Sequence, residues 1–155
     1  SGMDDRLEAI PSAETSPHDE APFEVDVTGY SMLPLLGRGH DRVVVRPCRT
    51  SELTVGRIVL FHLGNRWIVH RIRHRDGERF IMAGDGNYRK TERCSAQEII
   101  GIVDSVIRSD GRRIDCTSRS WRMAERLWLA LPALCRRYIT AVMRRILDRK
   151  RQNKG

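Results

Sequence analysis

No apolar run in this 155-residue chain approaches the roughly 20 residues a helix needs to span a bilayer, so no transmembrane helix is expected. Cysteine is sparse and unpatterned. Cys48, Cys94, Cys116 and Cys135 are widely and irregularly spaced, with neither metal-ligand spacing nor a disulfide framework among them. Four reduced thiols in a reducing compartment are expected, with no metal and no cofactor. The first twenty residues lack the basic and apolar blocks of a signal peptide and are instead acidic and rich in Pro and Ser. No internal repeat is present, which sets aside solenoids and propellers. Only three lysines occur, Lys90, Lys150 and Lys154.

What is present is unevenly placed. Residues 119–155 carry eleven basic and two acidic residues, net +9, whereas residues 1–118 carry 17 basic and 18 acidic ones, net −1. A neutral body with a cationic tail points to a polyanionic surface near the tail, either lipid headgroups or nucleic acid. Hydrophobic residues make up 40% of the chain, enough for a folded core.

Three segments follow from the pattern. Residues 1–22, with Pro11, Pro17 and Pro22, read as a mobile leader with at most a helical turn near Arg6–Ile10. Residues 23–117 read as a β domain. Strands are predicted over 23–27, 42–46, 55–63, 66–73, 79–82, 99–107 and 113–116, separated by turn signals at Gly64-Asn65, Asp76-Gly77 and Asp110-Gly111. Such spacing implies a mainly β fold, a sandwich or a partly closed barrel. Residues 118–155 read as a basic amphipathic helical tail. Ser118 or Ser120 caps it, Pro132 breaks or kinks it, and Leu127, Leu131, Leu134, Tyr138, Val142 and Ile146 form an apolar stripe. The stripe either docks on the β domain or sits, with Trp121 and Trp128, at a membrane interface.

The chemistry centres on Thr28-Gly29-Tyr30-Ser31-Met32-Leu33-Pro34, which follows the first strand. A serine needs a neighbouring base to act as a nucleophile. His70 shares a strand face with Ile68 and Ile72, where an imidazole is held neutral and able to accept a proton. Asp85 sits in a glycine turn, Gly84-Asp85-Gly86, with a carboxylate free to orient the imidazole. Nucleophile, base and orienting group are one reading of the three. A turn serine, a core histidine and a turn aspartate are the plainer one, and spacing alone does not choose.

Motif order adds to this. Gly29-Tyr30-Ser31-Met32-Leu33-Pro34 resembles the serine box of type I signal peptidases and the related self-cleaving LexA-like repressors. Residues 39–45, with one residue added, resemble the Gly-Asp-plus-strand segment of that family, and 53–61 its next apolar strand. Val69-His70-Arg71-Ile72 resembles the base box, Gly84-Asp85-Gly86-Asn87 the Gly-Asp-Asn turn, and Ile100-Gly101-Ile102-Val103 the closing strand. The likeness covers about residues 23–108. It implies a β-rich peptidase domain and a serine endopeptidase acting on a peptide or protein substrate. Most bacterial members place a lysine in the base box. Here the position is His70, as in the archaeal and endoplasmic-reticulum enzymes, and no lysine stands in that context.

The resemblance also bears on the rest of the site. Gly29 replaces a hydroxyl that some members aim at the oxyanion, which leaves the backbone N–H of Ser31 or Met32 for that role. The third catalytic role falls to Asp85, with Glu92 as the second choice. Arg57 stands where the family usually has an acid. The leader reads neither as a membrane anchor nor as a helix-turn-helix, and it lacks an Ala-Gly or Cys-Gly self-cleavage signal. The expected partners are therefore a peptide substrate and an anionic membrane surface touched through residues 118–155, with nucleic acid less favoured. The expected location is the cytoplasm or the periphery of its membrane. The alternative is an inactive peptidase-fold module that binds membrane or nucleic acid through the tail.

Overall fold

The computed structural model describes residues 21–37 and 39–154. Most of the expected leader, including the turn near Arg6–Ile10, lies outside the described residues. In chain order the elements are β1 (Phe23–Asp26), β2 (Arg42–Arg46), β3 (Ile58–Leu63), β4 (Arg66–Asp76), β5 (Arg79–Gly84), β6 (Asn87–Ser95), β7 (Ile99–Ile107), β8 (Arg113–Asp115), α1 (Arg119–Ala130) and α2 (Ala133–Lys154). The fold is mainly β, as expected. A single curled antiparallel sheet runs β1-β2-β7-β3-β4-β5-β6, with β8 paired to β7, and two helices follow it.

The central strands are apolar on both faces, because the sheet buries both. Ile58 and Leu60 of β3 join Val43, Val45, Val103 and Val106 on one side. Val59 and Phe61 join Ile68, Ile72, Phe80 and Met82 on the other. Alternation of side chains across a strand makes that division. It also explains why residues 43–45 and 58–61 read as continuous apolar runs.

The strands differ from expectation at several ends and in one whole element. β3 starts at Ile58 rather than Val55, because Gly56 takes a left-handed φ of 98° and Val55 is exposed. β4 runs on to Asp76, with a pairing irregularity between Ile72 and His74. β6 is a whole strand that the pattern did not announce. It lies at the end of the sheet, where Arg89, Lys90 and Arg93 suit a solvent-facing edge.

The sheet curls until its two ends approach each other. The hairpin turn between β5 and β6 meets the loop that follows β1, and the Gly86 amide donates to the Ser31 carbonyl at 2.8 Å.

The tail forms two helices with Pro132 between them. Ser118 caps α1, its Oγ accepting from the Trp121 amide at 3.3 Å. The contacts that dock the tail are not those of the expected apolar stripe. Trp121 packs into the core with Ile58 and Val103, and Trp128 is buried beside the Asp85 turn. Leu127, Leu134 and Tyr138 are instead 63%, 76% and 72% exposed. No helix among the described residues is long and apolar enough to cross a membrane.

Candidate active site

The serine loop is anchored by its own apolar side chains. Met32, Leu33, Leu35 and Leu36 are all buried, so the segment is pinned directly after Ser31. Leu33 N–H donates to the Tyr30 carbonyl and Leu36 N–H to that of Met32, closing one hydrogen-bonded turn. Gly37, at φ 90°, ends it. Beyond the turn, the buried Asp41 carboxylate accepts from the Gly37 amide at 3.0 Å and from Arg108 at 2.7 Å. Arg108 also donates to the Leu35 carbonyl at 2.9 Å, so an ion pair from the residue just after β7 holds the far end of the loop.

The glycine turn presses against this loop from the other side. A Cβ on Gly84 would stand 2.2 Å from the Ser31 carbonyl oxygen, and one on Gly86 would stand 2.9 Å from that of Tyr30. Only residues without a Cβ permit so close an approach of two backbones.

Ser31 and His70, 39 positions apart, meet there. His70 Nε2 lies 3.0 Å from Ser31 Oγ. His70 stands on β4 opposite Val59, only 8% exposed, with the Phe61 ring 6.2 Å from its own. Burial lowers its pKa to about 4 against the opposing field of the nearby Asp85 carboxylate, so the imidazole is neutral at neutral pH. On the other side of the ring, His70 Nδ1 lies 2.9 Å from Glu92 Oε1. That carboxylate sits off the N–H axis, and Nδ1 has no formed hydrogen bond. Burial raises the Glu92 pKa.

Asp85, named first for the third role, is occupied elsewhere. Arg71 Nε and Nη2 donate to its two carboxylate oxygens at 2.8 and 2.6 Å, in a pair whose side chains are each 1% exposed. Arg71 also donates to the Gly56 carbonyl at 2.8 Å and pairs with Glu125 of α1. Burial works against the Arg71 charge, but hydrogen bonds and attraction from Asp85 and Glu125 outweigh it and raise its pKa. Trp128 Nε1 donates to the Asp85 carbonyl at 3.2 Å. So Asp85 holds the turn beside Ser31 and ties it to α1, whereas Glu92 is the carboxylate beside the imidazole.

The amide N–H groups of Ser31 and Met32 find no acceptor among the described residues. Burial pushes the thiols of Cys48 and Cys94 up to about 11 and that of Cys116 up to about 12, which leaves them poor nucleophiles.

Sequence reasoning missed Arg71, Glu125 and Trp128. One signal was available. An arginine inside an apolar strand needs a buried acid, which here is Asp85, with Glu125 of α1 as its second partner.

A curled β sheet with a serine loop and a strand-borne histidine at its seam defines a peptidase-type fold. The family model described as Peptidase S24-like matches residues 3–104, and the chain belongs to that family. This places it in the superfamily of LexA-like and signal-peptidase-like serine peptidases. Searches of curated proteins and of solved structures return no match.

Proposed function

We propose that the chain is a serine endopeptidase in which Ser31 is the nucleophile and His70 the general base. The observation that carries this is the 3.0 Å separation of Ser31 Oγ and His70 Nε2. A neutral imidazole with its proton on Nδ1 presents the Nε2 lone pair to the serine hydroxyl. Ser31 Oγ attacks the scissile carbonyl carbon while its proton passes to Nε2. The carbonyl oxygen becomes an oxyanion, with the amides of Ser31 and Met32 as its donors. Collapse breaks the C–N bond, and Nε2–H protonates the leaving amine. Water then repeats the sequence on the acyl-enzyme, with His70 again as base.

Glu92 takes the orienting role. A small rotation of its carboxylate brings Oε1 onto the Nδ1–H axis, which fixes the tautomer and stabilises the imidazolium. Asp85 serves as the anchor of the turn. The substrate is an extended peptide segment added to a strand edge. β1 supports this, because it lies at one end of the sheet and leads directly into the serine loop. Ser31→Ala and His70→Ala are each expected to abolish processing of a natural substrate. Cleavage retained by either variant refutes the mechanism, and a folded wild-type chain that cleaves no peptide leaves the inactive binding module as the reading.

A further inference from the structure

Besides the apolar side chains that pack inward, the tail helices carry a second apolar set on the face turned away from the domain. On α2, Thr140 is buried against Gly86, and Arg144, Asp148 and Arg151 gather around Tyr30. These positions form the inward face. Leu134, Tyr138, Val142 and Ile146 recur every four residues, two positions out of phase, which is about 200° away around the helix. They are 76%, 72%, 37% and 49% exposed. Met123 and Leu127 of α1 extend the exposed set. An isolated exposed leucine means little, but an aligned row of this kind marks an interaction surface.

Charge decides what covers it. Arg137, Arg145 and Arg149 are exposed on or beside the row. The two acids of the helices, Glu125 and Asp148, are engaged by Arg71 and by the Tyr30 hydroxyl, although Asp148 itself is exposed. The apolar row is therefore accompanied by arginines unpaired among the described residues, while both acids are held by the β domain. A second copy of the same face would bring arginine against arginine. A nucleic acid would use the arginines and leave the aliphatic row in water. A bilayer with anionic headgroups satisfies both halves, taking the side chains into the acyl boundary and the guanidinium groups at the phosphates.

The geometry points to α2, extended by the exposed face of α1, as an interfacial helix that docks the protein on an anionic membrane surface. The helix that does so also grips Tyr30, the residue before Ser31, so docking holds the serine loop close to the bilayer surface. The docking itself does not depend on Ser31 being a nucleophile, and its test reads binding alone.

The test is co-sedimentation of the full chain with equimolar phosphatidylglycerol–phosphatidylcholine vesicles, beside pure phosphatidylcholine vesicles and duplex DNA. Binding to the anionic vesicles is expected to be at least about tenfold tighter than to neutral ones and to weaken with salt. The combined variant Leu134→Gln, Tyr138→Gln, Val142→Gln is expected to lose about tenfold or more. Arg137→Gln, Arg145→Gln, Arg149→Gln is expected to lose a similar factor and flatten the salt dependence. Leu134→Glu, a single change at the most exposed position, guards against a misfolded triple variant, and circular dichroism checks helicity in each. Undiminished vesicle binding by the Leu134, Tyr138, Val142 variant overturns the proposal. So does binding to DNA without binding to vesicles, or a dimer in size-exclusion chromatography that the same variant dissolves.

Discussion

Gly84 lies so close to Ser31 that a single methyl group between them would overlap the Ser31 carbonyl oxygen, at 2.2 Å. The serine loop and the glycine turn are thus one packed unit. Gly84→Ala is expected to push the turn away, cost about 1–3 kcal/mol of stability, and remove serine reactivity. Thermal unfolding and active-site labelling check this together. A variant of unchanged stability that still labels would show that the two backbones are not in contact.

Asp85 and Glu92 make different contacts, one with Arg71 and one with His70, and paired variants test the roles proposed for them. Asp85→Asn leaves the buried Arg71 without its bidentate partner and is expected to cost about 3 kcal/mol. Glu92→Gln keeps the shape beside His70 and is expected to change stability by less than about 1 kcal/mol while lowering kcat about 10²- to 10⁴-fold. The opposite pattern, with Asp85→Asn stable and inactive and Glu92→Gln fully active, would restore Asp85 to the third role.

Acid should act on His70 late. With its pKa lowered to about 4 by burial, the imidazole is expected to keep its basic form down to about pH 5, and kcat/KM should fall through an apparent pKa near 4. Stability carries the same signature. Between the unfolded value of 6.5 and about 4, the unfolded chain binds the His70 proton and the native chain does not. Stability therefore drops as pH falls through that window, by about 3 kcal/mol in all. Glu92 acts in the opposite sense, because its raised pKa lets the native carboxyl take up a proton first. Subtracting the unfolding profile of His70→Gln from that of the wild type isolates the histidine. A difference independent of pH between 4 and 6.5 would mean that His70 is solvated.

The thiols offer a check on burial that needs no substrate. Cys135 is exposed, Cys94 is buried, and burial raises the pKa values of Cys48, Cys94 and Cys116. Iodoacetamide at mildly alkaline pH is expected to alkylate Cys135 first, with the other three at least about tenfold slower until the chain unfolds. Peptide mapping by mass reads the order. Equal rates at all four would contradict the packing of the β domain.

Much of this was legible in the chain. Residues 42–46 and 99–107 were bounded correctly because they are central strands, apolar on both faces and framed by turn residues. The Ser31–His70 pairing was legible through motif order, since 39 intervening residues carry no local signal of contact. The contact of Glu92 with His70 was hidden because β6 was not seen as a strand. Its charged residues at the sheet end look like loop, and without alternation there was no reason to turn Glu92 inward beside Cys94. The second acidic partner of Arg71 was hidden for another reason. Glu125 arrives from a helix 54 positions later, and no periodicity within either element reports it. The apolar stripe of α2 was read correctly as a stripe, but period alone does not say which side of a helix faces the protein.

The most direct measurement of the central claim is acylation of the full chain by a serine-directed fluorophosphonate, mapped by mass spectrometry beside Ser31→Ala and His70→Ala. The account expects one modification, at Ser31, absent in Ser31→Ala and slowed at least about 100-fold in His70→Ala. Labelling that ignores both substitutions, or a folded wild-type chain that takes up no label, would contradict it.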